Sequence, residues 1–125
     1  MRPHILFADD NPDIRELVGL MLQNAGFRVI TTDNPAEVLR LAATEHFDAL
    51  LLDYWMPNLT GIELCRGIRT FDQSTPILIC SGAFTQADTE AVVRAGAQGY
   101  VQKPFDSKNL IRALRSLSNE FEIDG

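Results

Sequence analysis

Three acids, a hydroxyl and an amine follow apolar runs in this sequence. Asp9 and Asp10 come after Ile5-Leu6-Phe7, Asp53 after Ala49-Leu50-Leu51-Leu52, Ser81 after Ile77-Leu78-Ile79-Cys80, and Lys103 just after Tyr100-Val101. Three carboxylates brought together repel one another, so their pKa values rise or a cation must join them. A hard divalent ion such as Mg²⁺ (or Mn²⁺) meets that demand, because it prefers oxygen ligands and keeps several waters. An ammonium facing the same acids makes sense if an anion also visits. A phosphoryl group between metal and lysine is the natural candidate, since both cations stabilise charge on its oxygens. Each residue alone is commonplace: an Asp pair often caps a helix, and a lone Asp after a strand often serves a turn. Ser81-Gly82 and Lys103-Pro104 read equally well as loops. Their weight depends on whether the fold brings these four strand ends to one place.

The elements that would do so are legible. Five short apolar runs, the four above and Val29-Ile30, alternate with helical stripes. The third and fourth runs in the chain, Ala49 to Leu52 and Ile77 to Cys80, are apolar throughout, as expected of strands covered on both faces. Ile14, Leu17, Val18, Met21 and Leu22 form one helical stripe; Leu64, Cys65 and Ile68 another; Leu110, Ile111, Leu114 and Leu117 the last. Asn11-Pro12 and Asn34-Pro35 offer an N-cap followed by proline at the first helical position. Thr60…Glu63 and Thr85…Asp88 read as capping boxes, with Asp standing in for the usual Glu or Gln in the second. Gly26 and Gly96 follow the first and fourth helices as stop signals. The fourth helix, roughly Gln86 to Ala95, has only a thin stripe of Ala91, Val92 and Ala95 and is expected to pack least firmly. Strict β-α alternation predicts an α/β domain with a parallel sheet between helices. Ligands in such sheets bind beyond the carboxyl ends of the strands, where all five candidates fall.

The 125 residues suit one domain, and 46% hydrophobic with 22% charged residues rules out disorder by composition. A net charge of −6 argues against direct nucleic-acid binding, which needs clustered Lys and Arg. Cys65 and Cys80 sit in apolar runs without nearby Cys or His partners, so they read as buried free thiols in a reducing compartment. No apolar run approaches the roughly 20 residues that span a bilayer, and no leader pattern opens the chain. These features predict a cytoplasmic location and no membrane contact. His4 and His46 read as solvent-facing polar residues rather than phosphodonors.

Asp9-Asp10, Asp53 with Met56-Pro57 and Gly61 behind it, Ser81 and Lys103-Pro104 together resemble the receiver domains of two-component response regulators, the chemotaxis-regulator-like fold. The resemblance covers nearly the whole chain. It implies a single doubly wound (βα)5 flavodoxin-like domain, with a five-stranded parallel sheet in order 2-1-3-4-5, spanning residues 1–119 and followed by a short acidic tail over 120–125. Asp53 would be the nucleophile and phosphorylation site, taking the phosphoryl group from a histidine kinase or histidine phosphotransfer protein. Asp10 would ligate Mg²⁺ directly, Asp9 mainly through water, with Asp53 and the Trp55 carbonyl completing the protein's ligands. Lys103 would pair with phosphoryl oxygens, and Ser81 would move to hydrogen-bond one of them. Tyr100 matches the aromatic switch that turns inward on activation, remodelling the face of the fourth helix, fifth strand and fifth helix. That face would meet a downstream protein target, or a second copy in a homodimer. Pro104 would follow a cis peptide bond. Such a protein is a phosphoacceptor that assists its own phosphorylation and dephosphorylation, not a conventional enzyme.

Ser81 replaces the commoner Thr and Gly82 the commoner Ala, which loosens that loop. Two positions that often govern loss of the phosphoryl group are Trp55 and Ala83. Neither offers an acid or amide to align water, and the indole is bulky, so a long-lived phosphoaspartate is expected. A haloacid-dehalogenase-type phosphatase would need a second Asp where Trp55 stands, and a dinucleotide fold would need glycines where Asp9-Asp10 stand. A pseudo-receiver that only docks partners stays open to chemistry, as does the choice between a free-standing receiver and a piece of a hybrid kinase or longer regulator.

Overall fold

Each helical stripe seats on a sheet made of the apolar runs. The computed structural model describes residues 2–82 and 85–117; the predicted boundary at 119, the tail over 120–125 and Ala83 lie outside them. The strands are β1 (His4–Ala8), β2 (Arg28–Thr32), β3 (Ala49–Asp53), β4 (Trp55–Met56), β5 (Leu59–Thr60), β6 (Ile77–Ser81) and β7 (Gly99–Gln102). The helices are α1 (Pro12–Asn24), α2 (Pro35–Thr44), α3 (Gly61–Arg69), α4 (Gln86–Arg94) and α5 (Ser107–Leu117). Five strands form one sheet in order β2-β1-β3-β6-β7, every pair parallel. This is the 2-1-3-4-5 order implied by the resemblance.

Side-chain alternation splits the core in two. Leu6, Leu50, Leu52, Ile77 and Ile79 face α2, α3 and α4, packing on Val38, Leu64, Ile68 and Val92. Ile5, Phe7, Leu51, Leu78 and Cys80 face α1 and α5, packing on Val18, Leu22, Leu110 and Leu114. All residues of β3 and β6 are buried, as unbroken apolar runs require.

The helix ends follow their caps. Asn11 accepts from the Asp13 and Ile14 N–H groups, Asn34 from that of Ala36, and both capping boxes close. Gly26 and Gly96 take positive φ after α1 and α4. Within α4, Val92 alone is buried, so this helix is the thinly seated one, as its stripe predicts. No helix among the described residues is long and apolar enough to cross a membrane.

Two features depart from expectation. The β4–β5 hairpin was not foreseen: its strands are too short to show a period, and its turn uses Asn58 at φ 70°, a left-handed conformation that Asn tolerates. His4 is half-buried rather than solvent-facing, because its ring packs 4.5 Å from that of Phe47. Its backbone N–H also donates to Asp48 Oδ2 at 2.7 Å. His46 is exposed as expected, with Nε2 3.4 Å from Asp48 Oδ1.

Candidate functional site

The carboxyl ends of β1 and β3 are neighbours in the sheet, so Asp53 lies beside the Asp9-Asp10 pair without any long loop. Asp9, Asp10 and Asp53 each place a carboxylate oxygen within 4.8 Å of the others. Asp9 and Asp53 are buried, at 1% and 5% exposure, whereas Asp10 opens to solvent.

Lys103 reaches them from the end of β7. Its Nζ lies 2.6 Å from Asp9 Oδ2 and 2.9 Å from Asp53 Oδ1. Two features aim it: the Lys103 N–H donates to the Ser81 carbonyl at 2.8 Å, and Phe105 packs edge-on against Phe7 at 6.1 Å. The Lys103-Pro104 bond is cis, as the resemblance implies. The hydrogen bond from the Lys103 N–H also ties Ser81, itself buried, to the strand that carries the lysine.

Burial pushes the Asp53 carboxyl above its ordinary value; Lys103 works against this, and the neighbouring Asp9 adds to it. At Lys103 burial acts to lower the pKa, but Asp9 and Asp53 together outweigh it and hold the ammonium charged. Three carboxylates against one ammonium leave a formal charge of −2. A partly buried −2 whose candidate ligand atoms are all oxygens fits a hard divalent cation such as Mg²⁺.

The sequence of Asp53-Tyr54-Trp55 turns sharply into the hairpin. Tyr54 N–H donates to the Cys80 carbonyl at 2.8 Å, and Gly61 N–H to the Tyr54 carbonyl at 2.7 Å. A Cβ on Gly61 would sit 2.5 Å from the Asp53 backbone oxygen, so only glycine allows α3 to start this close to the nucleophile candidate. Trp55 stands 68% exposed beside the site, edge-on to Tyr54 at 4.8 Å. Tyr100, on β7, is 47% exposed.

Of the residues singled out by type and spacing, Asp9, Asp10, Asp53, Ser81 and Lys103 all sit at this rim; Tyr100 lies back along β7. Arg15 was missed. Its guanidinium donates to the Asp9 carbonyl at 2.8 Å. The only signal was an arginine in the first turns of a helix that begins at the acid pair.

The sequence profile of the response regulator receiver domain matches residues 5–115. The chain belongs to the receiver domain family. Among its relatives are the response regulator MprA of Mycobacterium ulcerans, 32% identical over 99% of this chain and 53% of that protein, and the transcriptional regulatory protein CseB of Streptomyces coelicolor, 36% identical over 94% and 50%. The chain thus spans about half the length of the curated relatives it matches. Among solved structures, the chemotaxis protein CheY4 of Vibrio cholerae superposes with a TM-score of 0.90 at 30% identity, covering 94% of this chain and 100% of that one. The receiver domain of sensor histidine kinase PA1611 from Pseudomonas aeruginosa gives 0.85 at 30% identity, covering 94% and 98%; that structure has a magnesium ion coordinated in its active-site cleft. The receiver domain described here therefore belongs to two-component signalling, with the flavodoxin-like fold of the chemotaxis regulators.

Proposed function

We propose that this receiver domain takes a phosphoryl group onto Asp53 from the phosphohistidine of a histidine kinase or histidine phosphotransfer protein, in a reaction that requires Mg²⁺ (or Mn²⁺). The observation that carries the reading is the buried Asp9–Lys103–Asp53 bridge with Asp10 at its open side. Asp9, Asp10, Asp53 and the Trp55 carbonyl would hold the metal, which when bound offsets negative charge on the phosphoryl oxygens. An Asp53 carboxylate oxygen attacks phosphorus in line. The new P–O bond forms as the P–N bond to the donor imidazole breaks, and the imidazole leaves with the bonding pair and picks up a proton. Lys103 then trades its carboxylate contact for phosphoryl oxygens.

The readout follows from the neighbourhood. Ser81 lies one residue beyond the partner of Asp53 in β6, so its hydroxyl can close on the new group. Ser81 stands five residues before the start of α4, the thinly seated helix. Inward rotation of Tyr100 would then remodel the α4–β7–α5 face, the surface for a downstream target or a second copy of the chain. On this reading residues 1–119 form the receiver unit. It acts as a phosphoacceptor that assists its own phosphorylation and dephosphorylation.

Intact mass after incubation with acetyl phosphate and Mg²⁺ tests this. The expected result is a gain of one phosphoryl group, absent without metal and absent in Asp53→Asn. No gain under any condition, together with failure of beryllofluoride to bind, would contradict it and favour a domain that only docks partners.

A further inference from the structure

We infer that Arg15 is a positioning residue for the metal-binding acids: it fixes the Asp9–Asp10 peptide, and with it the direction in which the Asp10 carboxylate projects. The inference rests on the metal-dependent reading above and adds a residue to it.

Asp9 is held at every polar group it has. Its N–H donates to the Thr32 carbonyl at 3.1 Å, and its carbonyl accepts from Arg15 at 2.8 Å. Its carboxylate accepts from the Asn11 N–H at 3.0 Å and from Lys103 at 2.6 Å. Asp53 is likewise held by Lys103. Asp10 differs: among the described residues its carboxylate makes no hydrogen bond, and it is exposed. Where Asp10 points therefore depends on the backbone that carries it.

Arg15 closes a ring around that backbone. The Asn11 carboxamide accepts from Asp13 and Ile14, the Arg15 N–H donates to the Asn11 carbonyl at 3.0 Å, and the Arg15 guanidinium returns to Asp9. The first turn of α1 and the acid pair thus form one closed circuit of hydrogen bonds. The guanidinium is the one link in it made by a long side chain, and it engages the carbonyl of the peptide that joins the two acids. A charged donor on a carbonyl is among the stronger hydrogen bonds.

Charge and geometry predict opposite outcomes here, which makes the inference testable. By Coulomb's law alone, removing a cation near three carboxylates tightens divalent binding. If Arg15 positions the acids, removing it weakens binding, as loss of outer partners of metal ligands does by about 10–100-fold. Mg²⁺ affinity of Arg15→Met and Arg15→Lys should be measured by isothermal titration calorimetry on the full chain. The amide shift of Asp10 in metal-free protein is recorded alongside. The expected result is at least about tenfold weaker Mg²⁺ binding in Arg15→Met, a displaced Asp10 amide, and partial recovery of both in Arg15→Lys. Arg15→Lys keeps one donor, so it carries the test if the methionine variant does not fold; affinity equal to or above the parent in either variant overturns the inference. If the parent itself fails to bind Mg²⁺, the metal-dependent reading falls and the inference with it.

Discussion

Asp53 is a carboxylate under two opposed demands. Burial raises it above its ordinary value, and the Lys103 ammonium opposes that rise by favouring the ionised form. An ionised, poorly solvated carboxylate next to a fixed ammonium is suited to attack phosphorus, because little solvent must be reorganised. Trp55 is expected to bear on the step that follows, loss of the phosphoryl group. It is exposed beside the site and offers no acid or amide to align an attacking water, so hydrolysis of the acyl phosphate should be slow. Trp55→Asn is expected to shorten the phosphoryl lifetime by about tenfold, less than the roughly 10²–10⁴-fold that a positioned general acid or base supplies, because an amide only orients the water; intact mass followed over time reads this directly. Unchanged decay would make Trp55 a bystander. These residues were legible because Asp, Ser and Lys at strand ends carry chemistry in their identities. Arg15 was not, since an arginine on a helix that opens after acids looks like any surface charge until its contact with a carbonyl is seen.

The close approach of α3 to β3 shows how an element positions the site. Gly61 opens α3 with no room for a Cβ, its nearest obstacle being the Asp53 backbone itself. Alanine is the better helix former by about 0.5–1 kcal/mol, but overpacking against backbone costs about 1–3 kcal/mol. Gly61→Ala should therefore lower stability in urea titration and slow phosphorylation, by moving Asp53; a stability gain would contradict the account. The turn before β6 makes a separate, pH-dependent case. At Asp72 burial acts to raise the carboxyl, but the Thr75 hydroxyl and the Thr75 and Ser74 N–H groups outweigh it and hold the carboxyl below its ordinary value. A lowered carboxylate stabilises above its ordinary pKa and loses that contribution as pH falls through the lowered one. Loss of these hydrogen bonds in Asp72→Asn should cost up to about 1 kcal/mol at neutral pH, and the gap from the parent should narrow as pH falls below the ordinary Asp range. A gap that widens there would contradict the assignment. Helix starts were readable because asparagine-proline pairs and capping boxes are local signals. The β4–β5 hairpin was not, because two-residue strands owe their pairing to a turn and to their neighbours.

Taken together, the domain is a five-stranded sheet whose two apolar layers hold a charged rim at one end. The parallel sheet could be expected because unbroken apolar runs mark covered strands and β-α alternation forces parallel pairing, whereas the strand order came only with the resemblance to receiver domains; His4 was misread because its neighbour Phe47 is distant in sequence. The central strands also bury both thiols. Burial pushes the Cys65 and Cys80 thiols up, at Cys80 against the opposing charge of Lys103. Neither should react with iodoacetamide in the native protein, and both should react in denaturant; rapid native labelling of Cys80 would mean the sheet opens at the rim. The whole arrangement stands or falls on one acyl phosphate at one strand end. Borohydride reduction after treatment with acetyl phosphate and Mg²⁺, followed by peptide mass mapping, locates it. The account predicts conversion of Asp53 alone to homoserine, and conversion of Asp9 or Asp10 instead, or of no aspartate at all, would contradict it.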